Sequence, residues 1–519
     1  MQFIISLVLF ASSATSGVTP LRWVSPDNST PTSFAEWRAK TQPRPFKARP
    51  LLSPTRLESR VDFFVQETIA GALLSALETL ALDLQRETVA TAVFSVSGTS
   101  PESLRALLSS EYQTGMSSAV LVGDLPIAWF QMLDDFGSQG VNDGYEEFPC
   151  DLYYMDLDGT WKDSLLRDST DSLIPGSDSI YDVHEGNISP EIGVSRLPAS
   201  AIGNAESLLA AYFGRDHRYR SQQLPVTDRA LVYIDDDWEP WAVEWDSNVG
   251  LLYPNRILIS NPESTRIADY QPRIDSADCQ WVALMSHSWP GGHAVKYDSG
   301  QQWDWFYAET IPVLDPHANF YNLFACSNVR FVENGYCGGR YVFQTSDGLG
   351  AIGSTKTGSM LSFGLFYDPL GQDRTLGEAF RDWFEAILKD GCDAGERSWF
   401  YGMCLVADGS LKPRRPQSGI ADSSLVSHRS SLYRVPGVHV LGNPVRGRLD
   451  FSVDLSQPAS CQFAIYDRTG RLAAELAPRP YPAGSHQLTI DASRLSAGVY
   501  FLRITTGTTS TRLPVTVIR

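Results

Sequence analysis

Trp281-Val-Ala-Leu-Met-Ser-His287-Ser and Tyr321-Asn-Leu-Phe-Ala-Cys326-Ser-Asn are the stretches that decide the fold of this chain. Each is a short apolar run that stops at a reactive side chain followed by polar residues. Central strands of an α/β sheet read this way when both of their faces are covered. In such sheets, ligands and chemistry gather at the carboxyl ends of the strands. If the two strands are neighbours, His287 and Cys326 project into one crevice. A thiol beside an imidazole can become a thiolate, the nucleophile of covalent acyl transfer.

Taken singly, each residue has a plainer explanation. A cysteine after apolar residues is usually a small core hydrophobe, and a histidine at a strand end is often a surface hydrogen-bonder. His293, across Trp289-Pro-Gly-Gly292, competes as the base. His287 is preferred because a strand fixes its position, whereas His293 follows two flexible glycines. The glycine-rich turn also leaves backbone N–H groups free to meet a developing oxyanion.

Around this pair the chain alternates between strand and helix. Val61–Val65, Val89–Val96 and Ser118–Val122 read as strands, Ala70–Gln85 has helical apolar spacing, and Ser100 is placed to cap a further helix. Residues 131–190 are loop-rich and acidic. Glu191-Ile-Gly-Val-Ser-Arg196 and a helix to about Arg220 close a first subdomain. A second begins at Ala230-Leu-Val-Tyr-Ile234 and includes Gly350-Ala-Ile-Gly-Ser354 and a helix over Leu376–Leu388. Alternation of this kind implies parallel strands joined by crossover helices. From about Val435 the helical period disappears and short strands alternate with turns, as in a small β-sandwich.

Length and composition set outer bounds. The 519 residues allow more than one domain, and 43% hydrophobic with 20% charged residues is ordinary for a globular protein. A formal charge of −18 argues against nucleic acid or an anionic membrane as partner, since both attract basic patches. Residues 1–17 have the apolar core and small-residue end of a secretory signal peptide, and no later segment is apolar enough for a membrane helix. Residues 18–58, rich in Pro, Ser, Thr and Arg, read as an extended leader or pro-segment. The seven cysteines form an odd set, so an exported chain keeps at least one candidate free thiol. Cys392 and Cys404 are close enough in sequence to bridge a local loop, and no spacing matches a zinc site.

The order of these blocks resembles the gingipain family of cysteine peptidases, which share their fold with caspases. The resemblance rests on the two strand ends, 39 residues apart, and on Gly350-Ala-Ile-Gly-Ser354 after them. Upstream it rests on Ala119-Val-Leu-Val-Gly-Asp-Leu-Pro126, Asp151-Leu-Tyr-Tyr-Met-Asp-Leu-Asp-Gly159 and Pro190-Glu-Ile-Gly-Val-Ser-Arg-Leu-Pro198, and it covers roughly residues 60–390. It implies a secreted cysteine endopeptidase acting on proteins or peptides. Cys326 would be the nucleophile, His287 the general base and acid, and Glu191 the carboxylate that orients His287. The backbone N–H groups of Ser288 and Cys326 would form the oxyanion hole. Ser288 stands where the family usually has glycine, and a position requiring φ > 0 would strain a serine. The family also carries structural calcium, with Asp156, Asp158 and Asp163 as the candidate ligands here and Asp235-Asp236-Asp237 as a second set. No cofactor is expected for the chemistry.

Asn443-Pro-Val, Ile465-Tyr-Asp-Arg-Thr-Gly-Arg471 and Leu495-Ser-Ala-Gly-Val-Tyr-Phe-Leu-Arg503 resemble a type IX secretion sorting domain. That implies the export machinery as a partner, through residues 435–519, and a place outside or on the surface of a Gram-negative cell. The expected fold is α/β: a caspase-like, two-subdomain, mostly parallel sheet with flanking helices, plus a C-terminal all-β immunoglobulin-like sandwich. The expected boundaries are 1–17 signal peptide, 18–58 leader, 59–222 subdomain A, 223–407 catalytic subdomain B, 408–434 linker and 435–519 sorting domain. Trp281, Trp289, Trp303 and Trp305 crowd the histidine region, either as a hydrophobic subsite or as core. Two other classes stay open: a catalytically silent surface-binding protein, favoured by Ser288, and a peptidase-fold transferase that joins peptides.

Overall fold

The structure is a computed structural model that describes residues 19–413 and 438–517, except 55–56, 58, 134–142, 169–171, 263, 277–278, 298–299, 390, 441–444, 446, 456–457, 468–471, 497 and 507–508. The expected signal peptide, and the expected linker beyond residue 413, lie outside the described residues. The chain divides into two compact units near residue 417.

The first unit is built on one sheet. Along the chain its main strands are β1 Lys47–Leu52, β2 Ser59–Gln66, β3 Val93–Ser97, β4 Ser118–Val122, β5 Gly193–Leu197 and β6 Ala230–Ile234. They continue with β7 Arg256–Ile259, β8 Trp281–Met285, β9 Phe320–Phe324, β10 Gly350–Ser354 and β11 Met403–Ala407. Their spatial order is β7-β6-β8-β9-β10-β11-β5-β4-β2-β3-β1. Every neighbouring pair is parallel except β10/β11 and, at the edge, β3/β1. The sheet is therefore two parallel blocks running in opposite directions. The carboxyl ends of β6, β8, β9 and β10 share an edge with the amino ends of β11 and β5.

The apolar runs become strands because helices cover both faces. All residues of β8 and β9 are buried, including Trp281 and Leu323. Helices start where the sequence indicates. Ser100 accepts from the Ser103 N–H, and Thr375 with Glu378 forms a capping box before Leu376–Leu388. Two of the sequence blocks hold each other in place: Arg196 in β5 donates to both oxygens of Asp151 at 2.9 and 2.5 Å, with both side chains almost fully buried.

Residues 18–58 show no clear period, yet much of the segment is built into the unit. Phe34–Lys40 is a helix with a Ser33–Glu36 capping box, and β1 extends the sheet edge. The helix is short and the strand is exposed over residues 47–50 with no residue fully buried, so neither leaves a periodic signal.

The second unit has two antiparallel sheets. One joins Val438–Val440, Arg448–Leu455 and Gly484–Asp491; the other joins Leu472–Tyr481, Ala459–Asp467, Gly498–Thr506 and Thr509–Val517. Alternate residues of both, among them Phe451, Phe463, Ile465, Leu502 and Val515, share one core.

Removing one partner of a buried ion pair leaves an uncompensated charge, at a cost of about 3–5 kcal/mol. Arg196→Met should lower unfolding stability by about that much, and Arg196→Met with Asp151→Leu should recover most of it. Chemical denaturation checks this. A loss under about 1 kcal/mol in the single variant would contradict the role given to the pair.

Candidate active site

β8 and β9 are adjacent and parallel, with Met285 opposite Phe324. Ser286 N–H reaches the Phe324 carbonyl at 3.1 Å, and the Ser288 hydroxyl donates to the Cys326 carbonyl. His287 and Cys326 therefore leave the same edge of the sheet on neighbouring strands. Both are partly exposed.

The turn after β9 is held from several sides. Ser327 takes a left-handed φ of +54°, and its N–H donates to the Lys356 carbonyl at 2.9 Å. The Asn328 amide donates to the carbonyls of Leu323 (3.1 Å) and Ala325 (2.8 Å), closing the turn around Cys326. Gly353 makes room for that side chain, since a Cβ there would lie 1.9 Å from Asn328 Oδ1. Arg330, fully buried, donates to the carbonyls of Thr355 (2.9 Å), Glu147 (3.0 Å) and Thr32 (2.8 Å). Thr32 in turn donates through its N–H and hydroxyl to Glu333, both at 2.8 Å. The leader is thus tied to the loop that carries the thiol.

His287 finds its carboxylate close by. Its Nε2 lies 2.9 Å from Asp237 Oδ2 and 3.8 Å from Asp235 Oδ2, both from the segment after β6. Asp237 also accepts from Lys296 Nζ at 2.6 Å. The hydrogen bond from His287 and then that from Lys296 hold the Asp237 carboxyl down at about 2, against the opposing effect of partial burial. Asp235 is fully buried, and burial pushes its carboxyl up to about 8. Its Oδ1 accepts from the N–H groups of Asp236 (2.8 Å) and Lys296 (2.9 Å).

Glu191 does not meet His287. It precedes β5, four strand positions from β8, or about 19 Å at ordinary strand spacing. Its Oε2 accepts from the Leu157 N–H at 2.6 Å, and burial raises its carboxyl. Of the three aspartates expected to bind calcium, Asp163 stands apart. Asp163 caps a separate loop through Ser177, Asp178 and Ser179. The carboxylates of Asp156, Asp158 and Glu191 do converge, within 4.8 Å of one another. The oxygens of Asp156 are already engaged, by Gly159 N–H at 2.6 Å, Trp161 Nε1 at 3.0 Å and His184 Nε2 at 2.5 Å. That donor set fits a folded turn better than a cation cage. The second expected set, Asp235-Asp236-Asp237, serves instead as a helix cap and as the histidine's partner.

Four other expectations are decided by local geometry. Ser288 lies in the strand His287–Trp289 and is not among the described residues with positive φ, so serine is unstrained there. His293 is buried against Phe306, with its Nε2 3.3 Å from Cys337 Sγ. Burial pushes its imidazole down to about 3. Cys392 and Cys404 are not bridged to each other. Trp281 is core, at the opposite end of β8 from the histidine.

Sequence reasoning missed Asp237, Asn328 and Arg330. The signal for Asp237 was present, because the triple aspartate follows a predicted strand just as His287 and Cys326 do. A carboxyl held below its ordinary 3.8 favours the folded state above that pH, and the contribution is lost as the pH falls towards 2. Wild-type stability should therefore decline more steeply from pH 4 to pH 2 than that of Asp237→Asn, by denaturant titration at each pH. Equal slopes would contradict the ionised Asp237–His287 contact.

Comparisons with known proteins bear on this site. Residues 72–414 match peptidase family C25, and residues 440–517 match a secretion system C-terminal sorting domain. The sorting domain marks a secreted or cell-surface protein. Among the described residues, no helix is long and apolar enough to cross a membrane. No curated protein matches the chain. Among solved structures, an FMN-binding beta-glucuronidase from Facaelibacterium prausnitzii L2-6 aligns at 9% identity over 63% of this chain and 47% of that one, with a TM-score of 0.13. An engineered protein aligns at 12% identity over 64% of this chain and 66% of that one, also at a TM-score of 0.13. The chain spans less than two thirds of either, and likenesses this weak carry no argument.

Proposed function

Because this chain belongs to peptidase family C25, we propose that it is a secreted cysteine endopeptidase whose nucleophile is Cys326 and whose general base and acid is His287. The observation that carries the reading is the register of β8 against β9, which brings the two strand ends side by side. Asp237 takes the orienting role expected of Glu191, since it is the carboxylate within hydrogen-bond reach of the imidazole.

The chemistry follows from that arrangement. Asp237 accepts a hydrogen bond from His287 Nε2, which fixes the tautomer and leaves Nδ1 to receive the thiol proton. The Cys326 thiolate attacks the scissile carbonyl carbon, and the carbonyl electron pair moves onto oxygen. The N–H groups of Ser288 and Cys326 are the proposed donors to that oxyanion. In a two-residue hairpin the closing pair, here Trp289 and Gly292, exchanges the hydrogen bonds. Ser288, one step along, then points its N–H away from its partner strand. As the tetrahedral species collapses, the C–N bond breaks and His287 returns the proton to the leaving amine. Water then attacks the thioester with His287 as base, releasing the acid and restoring the thiol.

The silent-binder alternative drew its support from Ser288, and an extended strand at that position withdraws it. The layout we propose runs from a signal peptide (1–17) through a leader (18–58) and the catalytic unit to the sorting domain (435–519). The leader's bonds to Glu333 and Arg330 favour a part that supports the catalytic turn over one that is simply discarded.

On a mixed peptide library, Cys326→Ala should abolish cleavage. Asp237→Asn should lower kcat by about 10²–10⁴-fold, while Glu191→Gln stays close to wild type. A Glu191→Gln loss as large as that of Asp237→Asn would return the orienting role to Glu191. Cleavage that survives in Cys326→Ala would overturn the proposal.

A further inference from the structure

His287 opens a small antiparallel sheet of three strands, His287–Trp289, Gly292–Tyr297 and Gln302–Tyr307. Its register sets His287 opposite Ala294 and Ala294 opposite Trp305. The next row is Trp289, Gly292 and Tyr307, and on the other side Lys296 faces Trp303. Directly opposed residues share a face, and alternate residues along a strand share it too. One face therefore carries His287 together with Trp303, Trp305 and Tyr307. The other face, with Ser288, His293, Val295 and Phe306, is buried.

The rings on the open face form a continuous row. Trp303 meets the His287 imidazole edge-on at 5.0 Å, and Trp305 stacks on Trp303 at 5.6 Å and 23°. Trp289 packs edge-on beneath Trp305 (5.5 Å) and Tyr307 (6.0 Å). Opposite Trp305 and Tyr307 stand only Ala294 and Gly292, so no long side chain separates those rings from the histidine. Gly292 is required there, because a Cβ would lie 1.9 Å from the Phe306 carbonyl oxygen. Lys296 is the one cation on this face among the described residues, and it is neutralised by Asp237.

Yet the row is not fully covered. Tyr307 is 48% exposed, and Trp303 and Trp305 are partly exposed. Aromatic surface left together in water is unfavourable and marks an interaction site when contiguous. We propose that this face is a substrate platform that selects peptides by an aromatic or large apolar side chain near the scissile bond. The proposal rests on the reading of Cys326 and His287 as the reacting pair. The occupant is the substrate chain because the platform is continuous with the catalytic histidine itself. From the imidazole to Trp305 is about two ring contacts, which an extended chain covers in roughly two to three residues. The contact is therefore made two to three residues from the bond that is cut, and it binds without taking part in the chemistry.

The test uses the full chain and matched peptides carrying Phe or Ser at each of the three positions on either side of the scissile bond. The readout is the ratio of kcat/KM for Phe over Ser within each protein, so any inactive fraction cancels. The wild type should prefer Phe by about 10–100-fold at one position two or three residues from the bond. Trp305→Ala should bring that ratio close to one, the half-exposed Tyr307→Ala should reduce it, and Trp305→Phe should keep most of it. Ratios unchanged in both alanine variants would overturn the platform, as would an equal fall for both peptides, which is what a merely structural role gives. Labelling of the wild type by a small thiol-directed acyloxymethyl ketone separates the two levels of the argument. Labelling at Cys326 without a Phe preference removes the platform alone, and no labelling at Cys326 removes the catalytic reading on which it stands.

Discussion

The pairing of β8 with β9 is the constraint on which the rest of the site depends. Two apolar strands run parallel and in register, so whatever follows one is set beside whatever follows the other. A slip of one residue would send His287 and Cys326 to opposite faces of the sheet. The reversal of direction between β10 and β11 then brings the amino ends of the second block to the same edge. The thiol's turn is held there by groups from several elements: Asn328 within it, the Lys356 carbonyl beneath it, and Arg330 linking it to Thr355, Glu147 and the leader. A buried guanidinium with three carbonyl acceptors is expensive to leave unmatched, which makes this turn hard to deform.

Electrostatics on the other side of the pair are set by burial and by two hydrogen-bond partners. Asp235 and Asp237 are separated by one residue and are driven in opposite directions. Asp235 is buried and its carboxyl is pushed up, whereas Asp237 meets His287 and Lys296 and is held down. Only Asp237 is therefore firmly ionised at neutral pH, and it is the one in direct contact with the imidazole. Two like charges so close to one histidine would oppose each other. Burial of Asp235 eases that and leaves Asp237 as the carboxylate in contact with the imidazole.

Much of the framework was legible in the sequence because it rests on short-range signals. Fully apolar runs become fully buried strands, as in β6, β8 and β9, and Ser100 is a cap in both readings. That His287 and Cys326 leave the sheet side by side was legible because both end apolar runs that become neighbouring strands. The partner of the base was not, because which carboxylate meets it depends on strand order. Glu191 and Asp237 both stand at strand ends, but β6 is next to β8 and β5 is four places away. The surroundings of the aspartates after Met155 were not legible for a related reason: Asp156 and Asp158 converge with Glu191 rather than with Asp163, and Asp156 also bonds Trp161, His184 and its own turn, which composition cannot reveal. The tryptophans near the histidine divided too: Trp281 lies in the core because β8 is covered on both faces, and Trp303 with Trp305 share the open face of a sheet covered on one side only.

The most direct test of this account is the rate at which each of the seven cysteines of the folded protein is alkylated by iodoacetamide near neutral pH, resolved by peptide mass analysis. Cys392 is the internal standard, since it too is partly exposed but burial pushes its thiol up to about 12. The account predicts that Cys326 reacts well ahead of Cys392 and of the buried thiols, and that its lead disappears in His287→Ala. A Cys326 no faster than Cys392, or a lead that survives loss of His287, would contradict it.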